Sequence, residues 1–269
     1  MRRTLTVLPV WCWLSIFVAL PAVLIAVMAL ATAADSVPPF TLGLSFTALS
    51  AVFTDPYYRA GFLFSLEVAA VSSALCLVLG YPIALAIARA KPGHRQVLLL
   101  LVMLPFWTGF LLRIMAWIGI LRDEGLLNAV LGALRLPPVL LLHTDTAMMI
   151  GMVYGYLPFM ILPIEARLSA ADRTLEQAAA DLGATPFRIF LTVTLPLSLP
   201  GVWAGLALVF VPVAGEYVIP DLLGGPGSLT IGRVIYEEFF QNNDWPQAAA
   251  LALVLLVFLA LPASLVRRK

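Results

Sequence analysis

EQAAADLGATPFRIFLTVTLP, residues 176–196, is the one polar, charge-bearing amphipathic stretch in a chain otherwise made of apolar runs of membrane-crossing length. It lies between two such runs, so an ordered element stands outside the bilayer with an apolar stripe that needs a partner to cover it. Local signals describe two short helices. Thr174-Leu175-Glu176-Gln177 fits a capping box, whose hydroxyl and amide satisfy free backbone N–H groups. Residues 178–180 are alanines with strong helix propensity. Gly183 then supplies a left-handed stop, and Thr185-Pro186 restarts a helix with Thr185 as its cap. Leu175, Ala178, Ala179 and Leu182 share one face of the first piece. A helix simply pressed on the bilayer or on neighbouring spans is the plainer reading of the same pattern.

The chain has 269 residues, 62% of them hydrophobic and 12% charged, far more apolar surface than a soluble domain of this size can hide. It is an integral membrane protein. A net charge of +1 gives no case for nucleic-acid binding. Cys12 and Cys76 lie inside apolar runs without CxxC or Cys/His spacing, as small buried hydrophobes do. A span needs roughly 20 apolar residues. Six windows qualify, at about Val10–Ala33, Phe62–Ala88, Val97–Leu121, Ala147–Ile164, Leu197–Ile219 and Ala248–Val266.

Basic residues orient these spans. One side carries Arg2, Arg3, Arg89, Lys91, Arg95, Arg167, Arg173, Arg188, Arg267, Arg268 and Lys269; the other carries Arg59, Arg122, Arg135 and Arg233. Eleven against four places both termini in the cytoplasm. The N-terminus also imitates a signal peptide, with Arg2-Arg3, an apolar run and Ala31-Thr32-Ala33. That run exceeds the usual length, and the charge bias already orients the other spans, so an uncleaved first helix is expected. Outside, Ile231, Val234, Ile235 and Phe239 recur at helical spacing, predicting an amphipathic helix on the outer surface. Asp244 is a plausible cap for the last span.

The polar stretch resembles the cytoplasmic signature of ABC-importer permeases: EAA, three residues, Gly, nine residues, then Ile-x-Leu-Pro. Set on Gly183, it matches Ala178, Ala179, Val193 in place of Ile, Leu195 and Pro196. Gln177 stands at the leading Glu position, with Glu176 one residue earlier. The resemblance implies a type I importer permease fold, all-α with six transmembrane helices. It implies a multi-pass subunit of a bacterial inner membrane, with an N-terminal helix and periplasmic segment over 1–61. A permease domain over 62–266 then includes coupling helices at 174–195. It also implies that those helices seat in a dimeric cytoplasmic ATPase, through Leu175, Glu176, Gln177, Ala178, Ala179, Asp181, Leu182, Gly183 and Arg188. Arg188, Asp181 and Glu176 are placed to form ion pairs at the rim of that contact. The chain has no GxxxxGK[ST] phosphate loop, so ATP and Mg belong to the partner, and no cofactor is expected on this chain. A second permease subunit, more often a different chain, and a periplasmic solute-binding protein complete the expected assembly.

Two further stretches resemble spermidine/putrescine-type permeases. One is Leu104-Pro105-Phe106-Trp107-Thr108 with Arg113 and Ala116–Leu121; the other is Gly215-Glu216-Tyr217-Val218-Ile219-Pro220 with Leu222–Pro226. The resemblance implies a polyamine substrate, though related permeases carry other small organic solutes. Glu216 sits near Gly215 and Pro212, where the helix is open to breaking. An intramembrane carboxylate faces a polar cavity or a partner. Facing the pathway, Glu216 would pair with an ammonium group, with Tyr217 or Trp107 adding cation–π attraction. A carboxylate bonded to backbone or to Arg233 is the structural alternative. Glu67 and Arg113, counted at about 1.5 Å per residue, fall at one depth in spans two and three, predicting a structural ion pair. His94 and His143 lie in loops on opposite sides and cannot share a metal, and no nucleophile–base arrangement suggests an enzyme. A secondary transporter working without nucleotide is the reading from another class.

Overall fold

The computed structural model describes residues 9–266, with side chains described to residue 260. The expected basic residues Arg2, Arg3, Arg267, Arg268 and Lys269 therefore lie outside the described residues. The described chain is helical apart from a ribbon of two two-residue strands, β1 (Thr32–Ala33) and β2 (Phe40–Thr41), paired antiparallel with Thr32 opposite Thr41. Among the described residues, four helices are long and apolar enough to cross a membrane: α1 (Pro9–Ala29), α3 (Pro56–Arg89), α7 (Asp145–Ala170) and α9 (Pro186–Ala214). A last apolar helix, α12, spans Trp245–Val266.

The third expected span is not one rod. Helix α4 (Pro92–Met103) tightens into a 3-10 turn at Leu104–Trp107, α5 (Phe110–Leu121) restarts and α6 (Leu126–Ala133) follows, and the segments Pro92–Trp107 and Phe110–Ala133 meet at 89°. Pro105 brings no N–H to the helical ladder, the Thr108 hydroxyl donates to the Pro105 carbonyl at 2.7 Å, and Thr108 itself is extended. An unbroken helix over Val97–Leu121 is thereby corrected. The fifth span also ends early: α9 stops at Ala214, and a short helix α10 (Val218–Leu223) follows.

Contacts group the chain into two units, Met1–Ser65 with Leu229–Lys269, and Leu66–Ser228. In the first, α1, α2 (Thr47–Thr54), α11 (Ile231–Tyr236) and α12 share a core of Ala29, Val52, Ile231, Val234, Ala250 and Leu251. The helix expected at 231–239 thus forms, with Ile231 and Val234 fully buried in this unit's core rather than lying on a surface. Asp244 caps α12, its Oδ1 accepting the Gln247 N–H at 2.9 Å. Trp245 stacks on Phe239, ring centroids 5.0 Å apart.

In the second unit α7 packs along α9. Thr144 caps α7 by accepting the Ala147 N–H at 3.2 Å. Small residues let the two backbones approach: a Cβ on Gly201 would sit 2.5 Å from the Pro163 carbonyl oxygen. In lipid, where water gives helices no hydrophobic reason to associate, such close backbone contact is what holds them together.

Candidate functional site

The element between α7 and α9 is α8 (Thr174–Asp181), followed by the first turn of α9. Its start differs from the expected capping box. Arg173 occupies the cap position without a side-chain capping bond, and the Asp172 carboxylate instead accepts the Thr174 N–H at 2.9 Å. Those bonds from Thr174 hold the Asp172 carboxyl below its ordinary range. The stop is as expected. Gly183 has φ +81°, its N–H bonds the Ala180 carbonyl, and the Ala184 N–H reaches Ala179, the paired pattern of a Schellman motif. Thr185 then caps the next turn by accepting the Arg188 N–H at 3.4 Å, with Pro186 in the first position.

This geometry leaves an apolar surface uncovered. Leu182 is 89% and Phe187 71% exposed, with Leu175 also exposed. Gln177, Ala178, Asp181 and Arg188 are exposed beside them, and Ala179 is half-buried. Glu176 behaves differently from its neighbours. Its Oε1 accepts the Thr194 hydroxyl at 2.6 Å and lies 3.5 Å from Arg89 Nη2. Glu176 is thus a brace within the chain. It joins α8 to the end of α3 and to the π-helical turn Phe190–Thr194 within α9. Tyr81 continues this brace, its hydroxyl 2.9 Å from Ser198 Oγ and its ring edge-on to Phe190.

The Glu216 carboxylate lies at the break between α9 and α10. Glu216 Oε1 accepts the Val218 N–H at 3.0 Å, and Tyr156 on α7 donates its hydroxyl to Oε2. The carboxylate thus opens α10, and its position is held from a second helix. An aromatic series leads away from it. Phe159 lies 6.1 Å from Tyr156, Phe106 is edge-on to Phe159 at 5.1 Å, and the Arg113 guanidinium sits 4.9 Å from the Phe106 centroid. Phe110 flanks Arg113 at 5.7 Å. Such stacking contributes about 0.5–2 kcal/mol per contact as desolvation increases.

The structure does not bring Glu67 and Arg113 together. Glu67 is exposed, Arg113 lies over two rings, and its buried Nε and Nη1 have no hydrogen-bond partner among the described residues. Counting depth along an unbroken third span carried that expectation, and the break at 104–109 removes its basis. Tyr217 is exposed beside Glu216, and Trp107 is 76% exposed at the break.

Sequence reasoning missed Tyr156, Thr194 and Arg89. A hydroxyl inside an apolar span signals a polar partner nearby, which was the available clue to Tyr156. Nothing local singles out Thr194. Also missed was Glu165 on α7, only 3% exposed, which accepts Arg95 Nε at 2.6 Å and the Ser169 hydroxyl at 2.7 Å.

Residues 12–268 match the family described as binding-protein-dependent transport system inner membrane component. The chain is 37% identical over 262 residues to the spermidine/putrescine transport system permease protein PotB of Haemophilus influenzae, covering 96% of this chain and 91% of that protein. It is also 37% identical over 254 residues to PotB of Escherichia coli K12, covering 93% and 90%. Among solved structures, a bacterial ABC transporter involved in importing the acidic polysaccharide alginate superposes with a TM-score of 0.74 at 20% identity. That match covers 98% of this chain and 94% of the other. At that identity it shows a shared fold.

Proposed function

This chain belongs to the family of binding-protein-dependent transport system inner membrane components, and we propose that it is the permease subunit of an ATP-driven importer for a polyamine of the putrescine/spermidine class. The observation that carries this reading is the 37% identity to spermidine/putrescine permeases over nearly the whole chain. The substrate comes from those relatives. The energy coupling comes from the uncovered face at 175–187.

In this reading six spans cross the membrane, with the broken pair α4 and α5 counted as one and both termini in the cytoplasm. The exposed Leu175, Leu182 and Phe187, with Gln177, Ala178, Asp181 and Arg188, seat in a dimeric ATPase that uses ATP and Mg. A second permease subunit completes the pore, and a periplasmic solute-binding protein delivers the substrate. Glu176 transmits motion through Thr194 into α9. At the other end of α9, Glu216 receives an ammonium group, with Tyr156 orienting its carboxylate and Tyr217 and Trp107 offering ring faces.

The test is uptake of labelled putrescine and spermidine into vesicles holding the complete complex with enclosed ATP. Saturable uptake that requires both the ATPase and this chain is expected. Uptake driven by a proton gradient without the ATPase would replace this reading with a secondary transporter. ATP-dependent uptake of another solute alone would remove the polyamine assignment.

A further inference from the structure

We propose that the turn between α3 and α4 forms a binding site for the phosphate headgroup of an anionic phospholipid. An open pocket of about 650 Å³ lies there, within the second unit. Four cations line it, Arg89, Lys91, Arg95 and Arg173, and no carboxylate does. Two of these cations already carry carboxylate partners, Arg95 with Glu165 and Arg89 with Glu176, while Asp172 accepts the Thr174 N–H, so among the described residues Lys91 and Arg173 carry the charge that no carboxylate offsets. Arg173 also donates to the Ala88 carbonyl, which holds its guanidinium at the wall. Lys91 has no ion pair or hydrogen bond from its ammonium group among the described residues, and it stands at the cap of α4 without capping it. Arg95 reaches Glu165 through Nε alone, leaving its two terminal nitrogens for another acceptor.

Backbone adds to this charge. Helix α4 begins at Pro92, and no side chain caps its first turn, so its free N–H groups favour an anion. Phosphate oxygens suit the combination of guanidinium forks and a point charge.

An apolar surface beside the pocket decides between lipid and soluble phosphate. Leu99 lines the pocket, and Val97, Leu100 and Leu101 along the same helix are exposed. A soluble phosphate would use only the cations. A lipid would use both, its headgroup in the pocket and its acyl chains along α4. The orientation rests on the cytoplasmic placement of this basic turn proposed above, where polybasic sites meet anionic lipid.

The experiment uses the full chain purified in mild detergent and measures binding of dioctanoyl phosphatidylglycerol by native mass spectrometry. Dioctanoyl phosphatidylcholine and inorganic phosphate are the comparison ligands. Phosphatidylglycerol should bind tightest. Lys91→Gln should weaken it about five-fold, as expected for one cation near a headgroup, and Lys91→Arg should restore it. The Lys91 side chain is exposed and makes no bond among the described residues, and its backbone carbonyl still accepts the Arg95 N–H in the variant, so the fold is kept. Arg135→Gln, outside the pocket, should have no effect. Equal binding of phosphatidylcholine, or unchanged phosphatidylglycerol binding by Lys91→Gln, overturns the site. Displacement of the lipid by inorganic phosphate at equal concentration makes it a soluble-anion site and overturns the lipid assignment. Polyamine uptake by the complex in vesicles without anionic lipid should be the same for Lys91→Gln and the parent chain, which separates this proposal from the transport reading.

Discussion

Glu176 Oε1 and the Thr194 hydroxyl lie 2.6 Å apart, joining residues 18 positions apart across the turn that separates α8 from α9. This bond ties the exposed element to the long helix behind it. A force applied at Leu182 would reach α9 through this bond, whereas Phe187 already lies on α9. Its charged acceptor gives it a worth of about 1.5–3 kcal/mol where water is excluded, and less here because Glu176 is part-exposed.

Thr194→Val keeps the shape and removes the hydroxyl. The number of polyamine molecules moved per ATP hydrolysed should fall several-fold, while ATPase activity persists. Thr194→Ser should restore the ratio. Parallel measurement of uptake and phosphate release in vesicles checks this, and an unchanged ratio in Thr194→Val would show that the brace transmits nothing.

Glu216→Gln removes the charge at the break after α9 while retaining its size. Polyamine uptake should drop at least ten-fold, with the half-saturating concentration raised. Tyr156→Phe leaves the charge and deletes one donor, so its loss should be smaller, about three- to ten-fold. Concentration-dependent uptake in the complete complex gives both values. Equal uptake by Glu216→Gln and the parent would assign Glu216 to capping α10 alone.

Gly201→Ala should destabilise the packing of α7 on α9 by about 1–3 kcal/mol, because the added methyl meets backbone that cannot yield locally. Gly119→Ala, with nothing within 4 Å of the new methyl, should be neutral. Thermal unfolding of both variants in the same detergent makes the comparison.

Arg95→Gln leaves the buried Glu165 carboxylate without its cation, held among the described residues by Ser169 alone. The cost should be about 3 kcal/mol, at the low end for a broken buried pair because Arg95 is part-exposed. Adding Glu165→Gln should recover most of the loss. A double variant no more stable than Arg95→Gln would mean that the pair contributes shape rather than charge balance.

Much of this architecture was legible from residues alone, wherever the determining forces act within one turn or sum along one segment. Long apolar runs required membrane spans, since no globular core could bury them. Gly183 marked a helix end because its backbone conformation is strained for any residue with a Cβ, and φ is +81° there. Asp244 and Thr185 were readable as caps because each bonds an N–H three residues ahead. The Thr174 capping box failed for a local reason too: Asp172 reaches the Thr174 N–H first, placing Thr174 inside the helix rather than at its cap.

Composition and short-range spacing therefore determined that this protein is a helical membrane component with an exposed short helix that stops at Gly183 and a second helix that restarts at Thr185-Pro186. Tertiary structure alone decided the partners of its charges: Thr194 and Arg89 for Glu176, Tyr156 for Glu216, and aromatic rings rather than Glu67 for Arg113. The reason is physical. Hydropathy and capping are settled by neighbours in sequence, whereas a buried charge takes the nearest compatible group in space, and that depends on where separate helices bend and pack.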